Sequence, residues 1–244
     1  MSAAASAPES MDAAGLAALI DISAVQAFHT EQDVRALAGI ATENRFVAAH
    51  ALPHFVPLLR SLIPAGSFTM VGGPVGFPSG GHATRTKIAE ARTLVADGAQ
   101  ELDMMMNIGR LKSGDTAYVA DEIRAVADAI APVPLKVIIE LYHLSDDEIR
   151  RASEIVAENG AAFVKTGTGW TPSATTVEKI RIIAETVRGR VAIKASGGIR
   201  SLETVREMVA LGVSRFGINT KTAVDLVREC AALPGGRLIL SDAA

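Results

Sequence analysis

Short apolar runs recur along the whole chain, and most are followed by a stretch whose apolar positions repeat at helical spacing. This alternation is the signature of a parallel sheet with helical crossovers. Eight runs predict strands: Leu16 to Asp21, Phe46 to His50, Phe68 to Gly72, Glu101 to Met105, Leu135 to Glu140, Ala161 to Lys165, Val191 to Lys194 and Arg215 to Gly217. Helix starts are marked by Thr30 with Asp33 three residues on, by Ser145 with Glu148 as a capping box, and by Ser201 ahead of Leu202 and Glu203. Glycine follows the last periodic residue in Asp97-Gly98, Asn159-Gly160 and Leu211-Gly212, as left-handed helix caps favour.

Eight such units, unbroken by any linker-like or low-complexity stretch, predict an α/β fold: one (β/α)8 TIM barrel over residues 13–244, preceded by a flexible N-terminal segment, residues 1–12. An open sheet of six or seven strands has the same rhythm, and closure is read only from the count. The length of 244 residues agrees with a barrel, since such domains run to about 250.

In a closed barrel the catalytic groups sit at the carboxyl ends of the strands. Here Asp21, His50, Glu140, Lys165 and Lys194 each close an apolar run, and Asp103 lies within one, on the side shared by Glu101 and Met105. After Ala161-Ala162-Phe163-Val164 an ordinary buried strand would continue with an apolar residue, yet position 165 is Lys. Burial favours the neutral amine, and a second cation, Lys194 on the next strand, pushes the same way; together they make a nucleophile near neutral pH. An isolated lysine at a strand end ordinarily snorkels and pairs with a carboxylate. Two on consecutive strands point past that reading, because each precedes a glycine-bearing loop. The loops Thr166-Gly167-Thr168-Gly169 and Ala195-Ser196-Gly197-Gly198 bring backbone amides within reach of an anion, although such turns also serve plain strand-to-helix connections. Asp103 is suited to shuttling a proton, or to offsetting the repulsion of two ammonium groups.

Composition then narrows the partners. A formal charge of −3, a pI near 6.0 and no basic tract argue against nucleic acid and acidic lipid, leaving a small molecule as the expected partner. The single cysteine, Cys230, allows no intrachain disulfide and no cysteine-based zinc set, which suits a reducing, cytoplasmic setting. No uncharged apolar run reaches the ~18 residues of a membrane span, and Met1 to Ser10 lacks the pattern of a signal peptide. Met104 to Met106 read as core filling. His50 and His54 stand four apart, but Pro53 between them disfavours the helix that would bring both to one face, so no metal or other cofactor is expected. The apolar run Phe55-Val56-Pro57-Leu58-Leu59, expected to reach the surface, leaves room for a homodimer.

The most specific motifs are Phe163-Val164-Lys165-Thr166-Gly167-Thr168-Gly169 and Ile193-Lys194-Ala195-Ser196-Gly197-Gly198-Ile199-Arg200. With Val75-Gly76-Phe77-Pro78, Glu101-Leu102-Asp103, Asn107-Ile108-Gly109, Lys112-Ser113-Gly114 and Leu135 to Glu140, they resemble the 2-deoxyribose-5-phosphate aldolase family over most of the chain. The resemblance implies a metal-independent class I aldolase that reversibly cleaves a deoxysugar phosphate to acetaldehyde and an aldehyde phosphate, through an enamine on lysine. By position, Lys165 resembles the Schiff-base lysine, Lys194 the cation that lowers its pKa, and Asp103 an acid/base residue acting through an ordered water. Asp21, Ser23, Thr166, Thr168, Gly169, Gly197, Gly198, Gly217, Asn219 and Thr220 are the implied substrate contacts, the glycines lining a phosphate site.

The chain also departs from the family pattern. Asn219-Thr220 replaces a Ser-Ser pair, Trp170 follows Gly169, Asp21-Ile22-Ser23 replaces a threonine-bearing motif, His50 stands where cysteine is common, and the tail Leu238 to Ala244 lacks a terminal tyrosine. Trp170 and Asn219 motivate one alternative, an unphosphorylated or otherwise different hydroxy-aldehyde as substrate; a second alternative is a barrel that binds sugar phosphate without catalysis, against which stand Asp103, Lys165 and Lys194, all present.

Overall fold

The computed structural model describes residues 9–240. Eight parallel strands close in sequence order: β2 (Ile20–Ala24), β3 (Ala48–Ala51), β4 (Met70–Val75), β5 (Glu101–Met105), β6 (Leu135–Ile138), β7 (Phe163–Lys165), β8 (Ala192–Ser196) and β9 (Val213–Gly217), with β9 returning to pair with β2. The fold is the expected (β/α)8 barrel, and the open-sheet alternative falls with the β9–β2 pairing. The helices are α1 (Ala13–Ala17), α2 (Glu31–Glu43), α3 (Val56–Leu62), α4 (Thr84–Ala96), α5 (Ile108–Lys112), α6 (Thr116–Ile130), α7 (Asp146–Glu158), α8 (Val177–Val187), α9 (Leu202–Ala210) and α10 (Thr220–Ala232). Thr30 with Asp33 and Ser145 with Glu148 form complete capping boxes, and the Ser201 hydroxyl accepts from Thr204 N–H, so these three helices begin where the sequence marks them.

Three expectations are corrected. Leu16 and Ala17 belong to α1 rather than to the first barrel strand, because Asp12 caps that short helix by accepting from Gly15 N–H; the strand begins at Ile20. Residues 1–8 of the segment expected to be flexible lie outside the described residues, but Ser10–Asp12 forms β1, paired antiparallel with β10 (Arg237–Ile239). The Arg237 side chain reinforces that pairing by donating from Nε to Ser10 Oγ at 2.7 Å. The run Phe55 to Leu59 does not offer an apolar surface either: Val56 and Leu59 are buried, and Phe55 and Leu58 pack against the core.

Two different interiors result from the two faces of each strand. On β6, Leu135 and Val137 point outward and join the apolar layer beneath the helices, together with Val164 of β7 and Ile193 of β8. Removing such side chains from water supplies most of the driving force for closing the barrel. The alternate positions face the barrel axis, and seven of them are charged: Asp21, Glu101, Asp103, Lys136, Lys165, Lys194 and Arg215. Among the described residues, no helix is long and apolar enough to cross a membrane.

Candidate active site

Four consecutive strands each turn a cation toward the axis: Lys136 from β6, Lys165 from β7, Lys194 from β8 and Arg215 from β9. The other half of the barrel answers with Asp21 from β2, His50 from β3, and Glu101 and Asp103 from β5. Asp103 is the hub. Its Oδ2 accepts from Lys165 Nζ and from Lys194 Nζ, both at 2.7 Å, and its Oδ1 from Lys136 Nζ at 3.1 Å. Lys194 also bonds Asp21, whose other oxygen accepts from Arg215 at 2.7 Å. Glu101 closes the network, with Lys136 Nζ at 2.6 Å and His50 Nε2 at 2.9 Å.

Charge counting and burial decide which amine gives up its proton. The axis holds four cations, Lys136, Lys165, Lys194 and Arg215, against three carboxylates, Asp21, Glu101 and Asp103. Apart from His50, loss of one proton balances the set. Lys165 is the least compensated, having only Asp103, which it shares with two other lysines. Burial is the largest influence on it and pulls its pKa down to about 8; contact with Asp103 opposes this and the neighbouring Lys194 charge assists it. Burial also works against the charge on Lys194, but Asp103, Asp21 and Glu101 more than offset it, and its pKa is raised. Burial alone would raise the Asp103 pKa, yet Lys136, Lys165 and Lys194 hold it well below the carboxylate range. Exposure agrees with the division: the Lys165 side chain keeps 12% of its surface open to solvent and that of Lys194 only 2%.

Above this network opens a cleft of about 750 Å³ at the carboxyl ends of the strands. Lys165, Lys194 and Asp103 lie on its floor. Of the expected substrate contacts, Asp21, Ser23, Thr168, Gly169, Gly197, Gly198, Gly217, Asn219 and Thr220 all line it. Thr166 does not. It is fully buried, its hydroxyl donating to Ser196 O at 2.9 Å and accepting from Ser196 N–H at 2.8 Å, so it ties the loop after β7 to strand β8. Asn219 lines the cleft but spends its side chain as the cap of α10, accepting from Thr222 N–H at 3.0 Å. Trp170 is not part of the lining: it packs edge-on against Phe77, ring centroids 5.4 Å apart, and Phe77 is the member of the pair that faces the cleft. His50 and His54 do not converge, one being buried on β3 and the other exposed beyond it. Asp21, His50 and Glu101 do bring one ligand atom each within 4.8 Å of one another, but both carboxylates are already bonded to cationic side chains.

Sequence reasoning missed Lys136, Arg215 and Arg200. Lys136 interrupts the apolar run Leu135 to Ile139 much as Lys165 ends its own run, so alternation alone would have found it. Arg215 was hidden because the strand was expected to start there, whereas β9 begins at Val213 and places it mid-strand, facing the axis. Arg200 lies among the residues lining the cleft, just before α9.

A (β/α)8 barrel with a solvent-reachable amine whose pKa is pulled down to about 8, seated among buried carboxylates at the carboxyl end of a strand, defines the class: a barrel enzyme equipped to work through lysine. Comparison with known proteins narrows it. A family model described as DeoC/LacD family aldolase matches residues 20–219, and the chain belongs to that family. It is 73% identical to a deoxyribose-phosphate aldolase of Rhizobium meliloti (strain 1021), over 95% of this chain and 93% of that one. It is 49% identical to one from Klebsiella pneumoniae subsp. pneumoniae, over 89% and 88%. Among solved structures, an aldolase designated QR15 superposes with a TM-score of 0.83 at 33% identity, covering 90% of this chain and 99% of the other.

Proposed function

We propose that this protein cleaves 2-deoxy-D-ribose 5-phosphate reversibly to acetaldehyde and D-glyceraldehyde 3-phosphate through an imine on Lys165. The observation that carries this reading is the depressed pKa of Lys165 at the floor of the cleft, 2.7 Å from Asp103. High identity to relatives bearing the name deoxyribose-phosphate aldolase supports the substrate.

The neutral Lys165 amine attacks C1 of the open-chain sugar, and the carbinolamine loses water to give a protonated imine. As a proton leaves the C3 hydroxyl, the electrons of the C2–C3 bond pass to the iminium nitrogen. Glyceraldehyde 3-phosphate departs and an enamine remains; protonation at C2 and hydrolysis then release acetaldehyde and the free amine. Asp103, already in contact with Lys165, is the acid/base residue for these steps, acting through an ordered water that carries the proton. Lys194 stays charged, keeps Asp103 ionised and opposes protonation of Lys165. The phosphate belongs at the other end of the cleft, over the backbone amides of Gly197 and Gly198 and the N-terminal ends of α9 and α10, where unpaired amides and the helix dipoles favour an anion. Arg200 adds charge there, and Thr220 a hydroxyl.

Borohydride reduction in the presence of substrate should add the mass of the trapped adduct to the peptide containing Lys165. An unmodified Lys165 in a sample that turns over deoxyribose 5-phosphate would overturn the assignment. Of the two residues behind the alternative of an unphosphorylated substrate, Trp170 leans on Phe77 outside the lining, while Asn219 lines the cleft. A strong preference for the phosphate ester over free deoxyribose is the expected result, and equal turnover of the two would revive that alternative.

A further inference from the structure

Five carboxylates are almost wholly buried among the described residues, and four of them, Asp21, Glu101, Asp103 and Glu122, sit against cations. Glu140, just past the end of β6 and 4% exposed, is the fifth, and none of the described lysines, arginines or histidines forms an ion pair with it. Taking a carboxylate out of water without a cation is costly unless hydrogen bonds compensate. Here they come from the loop after Lys165. The carboxylate accepts from Thr168 N–H at 3.2 Å and from the Thr168 hydroxyl, which itself accepts from Trp170 N–H at 3.0 Å. The main chain on either side of Glu140 is tied to the same segment, with Ile139 N–H donating to Lys165 O and Leu141 N–H to Thr166 O, both at 2.9 Å. Between those two bonds Glu140 takes a left-handed backbone, a strained choice for a residue with a side chain.

We infer that Glu140 is a positioning residue, whose carboxylate fixes the loop Thr166 to Gly169 so that the phosphate end of the substrate binds in register with the imine on Lys165. This rests on the function proposed above. Glu140 is not among the residues lining the cleft, so it meets the substrate only through the loop; Thr168 and Gly169, which it holds, do line it. Behind the loop Glu140 borders a narrow crevice together with Gly169 and Gly197, and those two glycines reach the cleft as well. The loop is therefore fastened from behind where it passes the amides assigned to the phosphate. Fastening is needed because two of its four residues, Gly167 and Gly169, are glycines, which leave the backbone free to take many shapes. A hydrogen bond to an ionised acceptor is about twice as strong as a neutral one, which suits a carboxylate to the task. The single proton of the Thr168 hydroxyl goes to Glu140, so Thr168 donates none to the substrate and instead transmits the hold.

The test separates binding of the phosphate ester from chemistry at the amine. Glu140→Ala should raise KM for deoxyribose 5-phosphate about 10-fold, the scale of a hydrogen bond to a charged group, and leave kcat within about twofold. Acetaldehyde carries no phosphate, so borohydride trapping of its imine on Lys165 should proceed in this variant within about twofold of the unsubstituted rate. Glu140→Gln keeps an acceptor oxygen at the same reach and should recover most of the lost binding. Thr168→Val removes the hydroxyl from the other end of the contact and should show the same split. Combined with Glu140→Ala it should be little worse than either change alone, because both act on one contact. An unmoved KM in Glu140→Ala would overturn the inference, and so would equal falls in acetaldehyde trapping and in kcat/KM for the phosphate ester, the mark of a site disturbed as a whole. Should Glu140→Ala not fold, the same two readouts on Thr168→Val, a change of similar volume, decide the matter. If the unsubstituted protein failed to cleave deoxyribose 5-phosphate, the functional reading itself would fail, an outcome distinct from an active enzyme with an unmoved KM.

Discussion

Lys165 and Lys194 stand side by side on adjacent strands, yet their surroundings move them in opposite directions, because Lys194 bonds two carboxylates and Lys165 a share of one. In the proposed mechanism Lys165 works as the free base, so kcat/KM for cleavage should rise with pH and level off above about 8. Below that pH it should fall about tenfold per unit as the amine takes up its proton. Replacing Lys194 with Gln removes a nearby positive charge and leaves Asp103 more available to Lys165, and both changes raise the Lys165 pKa. The limb of the pH profile should therefore move to higher pH in that variant. A limb that stays in place would show that burial alone tunes the amine. At this scale the sequence was informative about the reactive lysine: a polar residue where a buried strand should be apolar is visible without coordinates. Asp103 was already read as a carboxylate offsetting two ammonium groups, but its third cation, Lys136 from β6, was not foreseen.

Elements hold these residues in register through contacts remote from the chemistry. Lys87 on α4 and Glu122 on α6 form a fully buried pair at 2.7 Å, and Lys87 Nζ also donates to Met105 O at 2.8 Å, at the end of the strand that carries Asp103. Burial lowers the pKa of Lys87 despite its bond to Glu122. Lys87→Met strands the Glu122 charge and should cost about 3–5 kcal/mol in denaturant unfolding, whereas Lys87→Met combined with Glu122→Leu should recover most of it. Glu140 plays a comparable part for the loop after β7. It takes a left-handed backbone with φ of 46°, and its carboxylate accepts from Thr168 N–H at 3.2 Å and from the Thr168 hydroxyl. A Cβ on Gly167 would meet Glu140 Oε1 at 2.7 Å. Gly167→Ala should therefore push the loop out of place and raise KM for the phosphate substrate more than it lowers kcat. An unchanged KM would show that the carboxylate gives way instead. Helix starts were legible because capping is local chemistry. The first strand was misplaced at Leu16 because a short apolar run fits a buried helix turn as well as a strand.

Across the whole molecule, the barrel separates charge: cations on β6 to β9 face carboxylates on β2 and β5, with no water-exposed alternative for most of them. Stability should follow this arrangement on the acid side. Burial tends to raise the Glu101 pKa, but Lys136 and other neighbours bring it down to about 2, and Asp21 and Asp103 are likewise depressed. A carboxylate whose folded pKa lies below its unfolded value contributes fully above the unfolded value of about 4.5 for glutamate or about 4 for aspartate, and loses that contribution as pH falls through the folded one. Circular dichroism should therefore show resistance to acid well below pH 4.5, failing toward about pH 2. Lys136→Met should shift the transition to higher pH. Lys165 has the same slope in another window: charged, it costs the fold stability, and because its folded pKa also lies below the ordinary value, stability rises with pH between about 8 and 10.5.

What the amino-acid sequence determined by itself was local: eight apolar runs with helical spacers, the capping residues between them, and lysines at the ends of the sixth and seventh runs. Each of these is a preference of a short segment, set by backbone geometry and by side-chain polarity. Tertiary structure decided the rest. Only closure of β9 onto β2 turns alternate residues of separate strands toward one axis. Only there do three carboxylates meet four cations in a space too dry for all of them to stay charged. The Lys165 pKa, the Thr166 tie to Ser196 and the hold of Glu140 on Thr168 are sums over neighbours far apart in the chain, and no segment carries them alone.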